Sequence, residues 1–303
     1  MSSRTIAITG ASGLIGTALS AHLTARGDRV LSFTRSGGSG PNTIAWNPVT
    51  GSIDADKLRG VDAVVHLAGA GIGDKRWTDA YKREILESRT KSTSLLASTM
   101  AGLDDGPKVL LSGSAIGYYG ESLTAEFTEE SPAGSGFLAE VCVLWEAATE
   151  SASKAGIRVA HLRTGIVLSP KGGALKKLLP LFKVGAGGRM GSGRQWQSWI
   201  SIDDEVAAID HLLSAQVSGA VNLTAPSPVS QADFTKTLAR VLRRPSLLPV
   251  PSFGPKLLLG GELADALLFT GQRVLPAVLQ KSGYSFRHAD LESALRSLLG
   301  RPA

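Results

Sequence analysis

Thr5-Ile-Ala-Ile-Thr9-Gly10-Ala-Ser-Gly13-Leu-Ile-Gly16 is the stretch that decides the fold. Thr5–Thr9 is a short, β-rich apolar run, and three evenly spaced glycines follow it. Beyond them Ile15, Ala18, Leu19 and Leu23 recur on one face of a helix. Arg26-Gly27 stops that helix, and Arg29–Thr34 is the next apolar strand. Strand, glycine turn, helix and strand within about 30 residues make a βαβ unit. The glycines let the backbone turn tightly and approach a pyrophosphate, which then sits on a helix N-terminus. Gly10, Ser12, Gly13, Leu14, Ile15 and Gly16 are therefore the expected phosphate-binding residues. The spacing is G-x-x-G-x-x-G rather than G-x-G-x-x-G, but it lies between a strand and a helix, as the fingerprint requires.

The end of the second strand bears on which dinucleotide. An NAD site would place Asp or Glu about 20 residues past the glycines, on the ribose 2′-OH. Here Thr34-Arg35-Ser36 stands there, and no carboxylate lies between Asp28 and Asp54. Asp28 precedes the strand, at its wrong end. A guanidinium holds a phosphate by two parallel hydrogen bonds. The expected cofactor is NADP(H), with Arg35 and Ser36 on the 2′-phosphate.

Outward from this unit the alternation continues. Residues 62–67 (DAVVHL) form a near-continuous apolar run, as a strand buried on both faces should. A long helix is expected over 77–100, a strand over 108–112, a helix over 136–155 and a strand over 158–162. Residues 42–46 read as a short strand, 206–213 as a helix and 220–224 as a strand returning to the sheet. Ser230 with Asp233 opens a further helix. Pro245, Pro249, Pro251 and Pro255 are expected to keep the chain extended, and the last helix falls near 290–299. Such alternation argues an α/β fold, a doubly wound parallel sheet with helices on both faces. Small residues in Leu67-Ala68-Gly69, after the third main strand, would let the cofactor lie against the sheet. His66, just before them, reads as a core residue.

The 303 residues suit one large α/β domain or a two-lobed unit. A hydrophobic share of 43% excludes a disordered chain. The single Cys142 excludes an internal disulfide framework, and the five His show no metal-ligand spacing, so no metal is expected. The 6% aromatic share disfavours a single-strand nucleic-acid binder. Residues 61–73 and 257–269 are too short and too charged to span a bilayer, which takes roughly 20 apolar residues. The opening run is already inside the glycine motif by Gly10, leaving no room for a signal peptide. A cytoplasmic protein with a small-molecule substrate, no nucleic acid and no membrane is expected; the oligomeric state stays open.

The net charge of +6 is unevenly spread. Residues 151–202 hold nine basic side chains and no acidic one, so the rest of the chain is net negative. A cleft lined this way would concentrate an anionic ligand; a solvated basic face is the plainer reading.

Thr9–Gly16, Leu67–Ala70 and Ser112–Gly120 (SGSAIGYYG) together resemble the extended short-chain dehydrogenase/reductase superfamily. Ser88-Arg89-Thr90, Trp145-Glu146, Arg163-Thr-Gly-Ile-Val-Leu168, Gly191-Ser-Gly-Arg-Gln195, Ser198-Trp199-Ile200 with Asp203, Asn222-Leu-Thr-Ala-Pro226 and Gln272-Arg-Val-Leu-Pro276 narrow it. They resemble the atypical "epimerase family" branch, often labelled sugar-nucleotide epimerase, with a C-terminal domain of unknown function. The resemblance implies a Rossmann-type NADP-binding domain over 1–168 and 196–225, and a smaller substrate lobe over 169–195 and 226–303. It also brings Ser114, with Ser112 as the near alternative, to the reacting carbonyl or hydroxyl.

That superfamily uses a Tyr-x-x-x-Lys pair for proton transfer and ribose binding. None of the four tyrosines here has Lys four residues on. With Trp145-Glu146 as the anchor, Leu138 falls at the Tyr position and Cys142 at the Lys position. Tyr118 is the expected substitute acid, with Tyr119 close behind; Lys75 or Lys82 are offered for the missing charge. Arg163 and Arg89 are expected on cofactor or substrate, Gln195 and Trp199 at the substrate, and Asp203-Asp204 as a helix cap. Two functions follow: an NADP-dependent oxidoreductase or epimerase acting on an anionic small molecule, with a nucleotide-sugar one option, or a non-catalytic NADP(H)-binding sensor or partner-binding protein.

Overall fold

The alternation of Ile6 and Ile8 against Ala7 places side chains on both faces of the first strand, β1 (Thr5–Thr9), and both faces are covered. The structure, a computed structural model, describes residues 3–35, 40–246 and 249–302. After β1 come α1 (Leu14–Ala25), β2 (Arg29–Thr34), β3 (Thr43–Asn47), β4 (Ser52–Ile53), β5 (Ala63–His66), α2 (Asp79–Ala101) and β6 (Val109–Ala115). Then follow β7 (Glu126–Phe127), α3 (Phe137–Ala147), α4 (Glu150–Lys154), β8 (Arg158–Thr164), β9 (Ile166–Leu168) and α5 (Gly173–Lys183). Next are β10 (Trp196–Gln197), β11 (Trp199–Ser201), α6 (Ile202–Ser214), β12 (Gly219–Leu223), β13 (Val229–Ser230) and α7 (Gln231–Leu242). The chain ends with α8 (Phe253–Leu259), α9 (Gly261–Ala264), β14 (Arg273–Val274), α10 (Ala277–Lys281) and α11 (Leu291–Leu298).

Eight strands form one sheet in the order β12-β8-β6-β5-β1-β2-β3-β4. All its pairings are parallel except β3 with the short β4. Every parallel strand thus ends on the same edge. The order reverses at β1, between β2 and β5, and in such sheets ligands bind in the crevice outside the strand ends there. Ile6, Ile8, Val65 and Leu111 pack with Leu19 and Leu23 of α1 and Ile209 and Leu212 of α6 on one face. Ala7, Val64 and Leu110 pack with Leu96 and Met100 of α2 on the other. This is the doubly wound α/β arrangement. A third cluster joins Leu175, Leu179 and Phe182 of α5 with Trp199, Phe234, Leu238 and Leu295.

Two expectations are corrected. The helix expected over 136–155 breaks after Ala147, where the Thr149 hydroxyl turns back to the Glu146 carbonyl at 2.8 Å, as a threonine competing with the helical backbone does. Pro255 does not keep the chain extended but sits in the first turn of α8, where a missing N–H is tolerated. Among the described residues no helix is long and apolar enough to cross a membrane.

Candidate functional site

The glycine turn is built around close backbone approach. Gly10 has φ +67°, and a Cβ there would lie 2.9 Å from the Leu67 carbonyl. A Cβ on Gly16 would lie 2.2 Å from the Gly10 oxygen. The turn is therefore pressed against both the β5 loop and the first turn of α1. The Thr9 hydroxyl reinforces this by accepting from Leu67 N at 3.0 Å and Ala68 N at 3.1 Å. Helix α1 begins at Leu14, with no side chain capping it and no acidic residue in its first turn. The first amides of a helix lack intrahelical partners and carry positive partial charge. An uncapped, acid-free N-terminus behind a cradle that excludes Cβ fits a dinucleotide pyrophosphate.

At the end of β2, Arg35 is exposed immediately after the strand. Ser36, its expected companion on a 2′-phosphate, lies outside the described residues. Asp28 is held at the opposite end of β2 by Arg4 and Arg26. His66 is wholly buried, with Nδ1 2.7 Å from Thr9 Oγ1 and Nε2 2.9 Å from Thr93 Oγ1. Burial first, and then the nearby Arg89 charge, push it down to about 3, so it is a neutral core residue.

Beyond the β5 and β6 ends lies a cavity of about 170 Å³. Ile72, Ile116, Leu138, Val141, Trp145 and Leu267 give it a largely apolar wall. Leu138 and Cys142, which the sequence resemblance sets at the Tyr and Lys positions, both line it. Burial raises the Cys142 thiol to about 11, so it stays protonated. Among the described residues Arg89 is the one cationic side chain on the wall. Its guanidinium packs against Gly69, where a Cβ would meet Arg89 Cζ at 3.2 Å, and lies 5.0 Å from the Trp145 ring centre. Lys75 and Lys82 are elsewhere, paired with Glu84 and Glu262.

The remaining catalytic candidates form a separate buried chain. Ser114 donates to Glu146 Oε1 at 2.7 Å. Arg163 binds the same carboxylate at two points, 2.8 and 2.9 Å, and donates to the Tyr119 hydroxyl at 3.0 Å. Tyr119 in turn donates to Asn222 Oδ1 at 2.7 Å. Burial works against the Glu146 charge, but the bonds from Arg163 and Ser114 outweigh it and hold the carboxyl below its ordinary range. Tyr119 is raised by burial. Arg163 Cζ lies over the Tyr118 ring, 3.4 Å from the ring centre. None of Ser114, Tyr118, Tyr119 and Arg163 is on the cavity wall.

Gln195 and Trp199 are buried and off the cavity wall. Trp199 is fully buried in the third cluster, its indole N–H on the Ser227 carbonyl at 3.1 Å. Gln195 is 1% exposed and spans the Met190 and Leu268 carbonyls. Their neighbours Trp196, Gln197 and Ser198 line the cavity instead. The basic segment disperses too: Arg158 bonds the carbonyls of Leu212, Leu213 and Val217, and Lys154 pairs with Glu150. The cap of α6 is Ser201, accepting from Asp204 N at 3.1 Å, rather than Asp203 or Asp204 themselves. Glu146, the hub of this network, is visible in the sequence only through its pairing with Trp145 in a motif.

Residues 6–224 match the model of the NAD dependent epimerase/dehydratase family, and residues 250–298 match a domain of unknown function, DUF1731. The chain belongs to the NAD dependent epimerase/dehydratase family. It is 43% identical over 303 residues to epimerase family protein MT2273 of Mycobacterium tuberculosis, covering 100% of both. The crystal structure of human epimerase family protein SDR39U1 with NADPH is 35% identical, with TM-score 0.88, 98% of this chain covered and 99% of that one. A nucleoside-diphosphate sugar epimerase from Corynebacterium glutamicum is 39% identical with TM-score 0.79; the match spans 99% of this chain and 59% of that one.

Proposed function

We propose that this protein is an NADP(H)-dependent oxidoreductase or epimerase acting on a small molecule held beside the nicotinamide. The observation that carries the reading is the uncapped, Cβ-excluding glycine turn at the sheet's switch point, with an apolar cavity one strand away. The amides of Ser12, Gly13, Leu14 and Ile15 would receive the pyrophosphate, and Arg35 with Ser36 the 2′-phosphate. Leu67, Ala68 and Gly69 would bed the nicotinamide half, with Arg89 above Gly69. When bound, the nicotinamide supplies hydride chemistry.

The chain's own residues would divide the remaining work. The apolar wall excludes water. Ser114, pinned by Glu146, fixes the end of β6 rather than meeting the substrate in this arrangement; a catalytic Ser114 or Tyr118 would require rotation toward the cavity. We also propose that residues 169–195 and 226–303 act together as the substrate lobe, since α5, α7 and α11 share a core and Leu267 and Thr270 close the cavity. Nucleotide-sugar binding by the basic segment has less support, because among the described residues no lysine lines the cavity.

A second reading, an NADP(H)-binding sensor, is favoured by one observation: among the described residues, the wall holds no Tyr, His, Lys or carboxylate to move a proton. Protein loaded with NADPH and incubated with a metabolite extract separates the two. Loss of the reduced cofactor's near-ultraviolet absorbance, or conversion of a metabolite to its epimer without net loss, is expected; an unchanged spectrum and unchanged metabolites with tight NADPH binding would favour the sensor.

A further inference from the structure

The turn that follows β9 lies on the first turn of α1. Ser169 is buried and pairs with Gly172 in an antiparallel bridge, which closes the turn. The Ser169 hydroxyl also accepts from Lys171 N at 3.2 Å. Gly173 follows with φ +66°, a left-handed conformation that side chains rarely adopt. A Cβ on Gly172 would lie 2.9 Å from Leu14 Cδ1, and one on Gly173 3.5 Å from Leu14 Cδ2. The two glycines thus let this strap settle directly on the side chain of Leu14, the first residue of α1. Leu14 is half-buried, while Ser12 and Gly13 stay exposed. The glycine turn is therefore walled by the strap on its Leu14 side and open at Ser12 and Gly13.

Lys171 stands in the strap, exposed, next to the glycine that touches Leu14. Among the described residues its ammonium pairs with no carboxylate. The carboxylates that open α6, the helix packed beside α1, are already engaged. Asp203 faces Arg287, Asp204 accepts from Tyr284 and the His288 amide, and Glu205 accepts from Thr164. An exposed lysine is ordinarily a solvated charge. Its place sets this one apart, because a dinucleotide pyrophosphate on the α1 amides would lie beside the strap. Those amides bring only partial charge, and in the reading above Arg35 is taken by the 2′-phosphate. A lysine ammonium serves a phosphate as a point charge and needs no fixed fork geometry.

We propose that Lys171 binds the pyrophosphate of the cofactor from the strap side, completing a site whose other wall is the glycine turn. This deepens the reading above and rests on it, since it takes the turn after β1 as the phosphate site. It also gives one member of the basic segment a specific task while the others stay solvated or paired.

The test is calorimetric titration of the full chain with NADPH and with NADH, which share the pyrophosphate and differ in the 2′-phosphate. Lys171→Met should weaken both by about tenfold, the worth of one charged hydrogen bond, and leave their ratio unchanged. Lys171→Arg, which keeps the charge, should retain most of the affinity. Arg35→Met should weaken NADPH alone. Lys154→Met removes the same charge from α4, where it pairs with Glu150, and should change neither affinity. Because Lys171 is exposed, its variants should melt with the wild type. Unchanged affinities in Lys171→Met would overturn the proposal, as would equal losses in Lys154→Met. A loss confined to NADPH would also overturn it, by putting the lysine on the 2′-phosphate. Wild-type protein that binds neither coenzyme would instead remove the reading on which the proposal rests.

Discussion

Arg163 on β8 and Glu146 on α3 form a two-point ion pair, Nε to Oε1 at 2.8 Å and Nη2 to Oε2 at 2.9 Å, with side-chain exposures of 5% and 11%. Removing either partner leaves the other charge buried and unmatched. Glu146→Ala should therefore cost about 3 kcal/mol or more in urea denaturation. It should also disturb Ser114 and Tyr119, which share the network. The sign with pH follows from the depressed Glu146 carboxyl. The stabilisation is present above the unfolded pKa and is lost as pH falls through the lower folded value. Wild-type protein should thus lose more stability on acidification than Glu146→Ala does.

The glycine turn gives a second prediction. At Gly16 an added methyl meets the Gly10 carbonyl at 2.2 Å, backbone that has no flexible end to yield. Gly16→Ala should weaken NADPH binding by about tenfold or more in calorimetry, because the amides at the start of α1 no longer converge on the phosphates. Retention of wild-type affinity would show that the turn exists for packing alone.

These two features differ in how far the sequence announced them. The turn is local: strand, glycines and helix lie within a single continuous stretch, and periodicity alone placed β1, β2 and the buried β5. The network is not local, since Ser114 meets Glu146 across 32 positions and Tyr119 meets Asn222 across 103. The cavity is harder still, its wall coming from Ile72, Arg89, Leu138, Trp196 and Leu267. Trp199 lies in the core although Trp196, Gln197 and Ser198 just before it line the cavity. An aromatic suits either a core or a cavity wall, so residue type alone does not separate Trp199 from Trp196.

Glu205 carries a pH dependence of opposite sign. It is fully buried, its Oε1 accepting from Thr164 at 3.0 Å while Oε2 has no partner. Burial raises it to about 8, against an ordinary 4.5. The folded state therefore holds a proton that the unfolded state has released, and stability falls as pH rises between those values. Glu205→Gln should flatten this slope, making the variant relatively more stable at pH 9 than at pH 6 in matched urea titrations.

Cys142 offers a chemical check on the cavity wall. Its thiol is 3% exposed and raised by burial to about 11. Because the thiolate is the reactive form, the native protein should react with a chromogenic thiol reagent far more slowly than the urea-unfolded chain. Fast native labelling would mean that the cavity opens widely in solution.

The central claim is that the turn after β1 binds a phosphorylated dinucleotide and that Arg35 selects the form bearing the extra phosphate. Calorimetric titration of the ligand-stripped protein with NADPH and with NADH tests it most directly. The account predicts NADPH tighter by about tenfold or more, the worth of a charge-assisted phosphate contact. Equal affinities, tighter NADH, or no heat with either would contradict it.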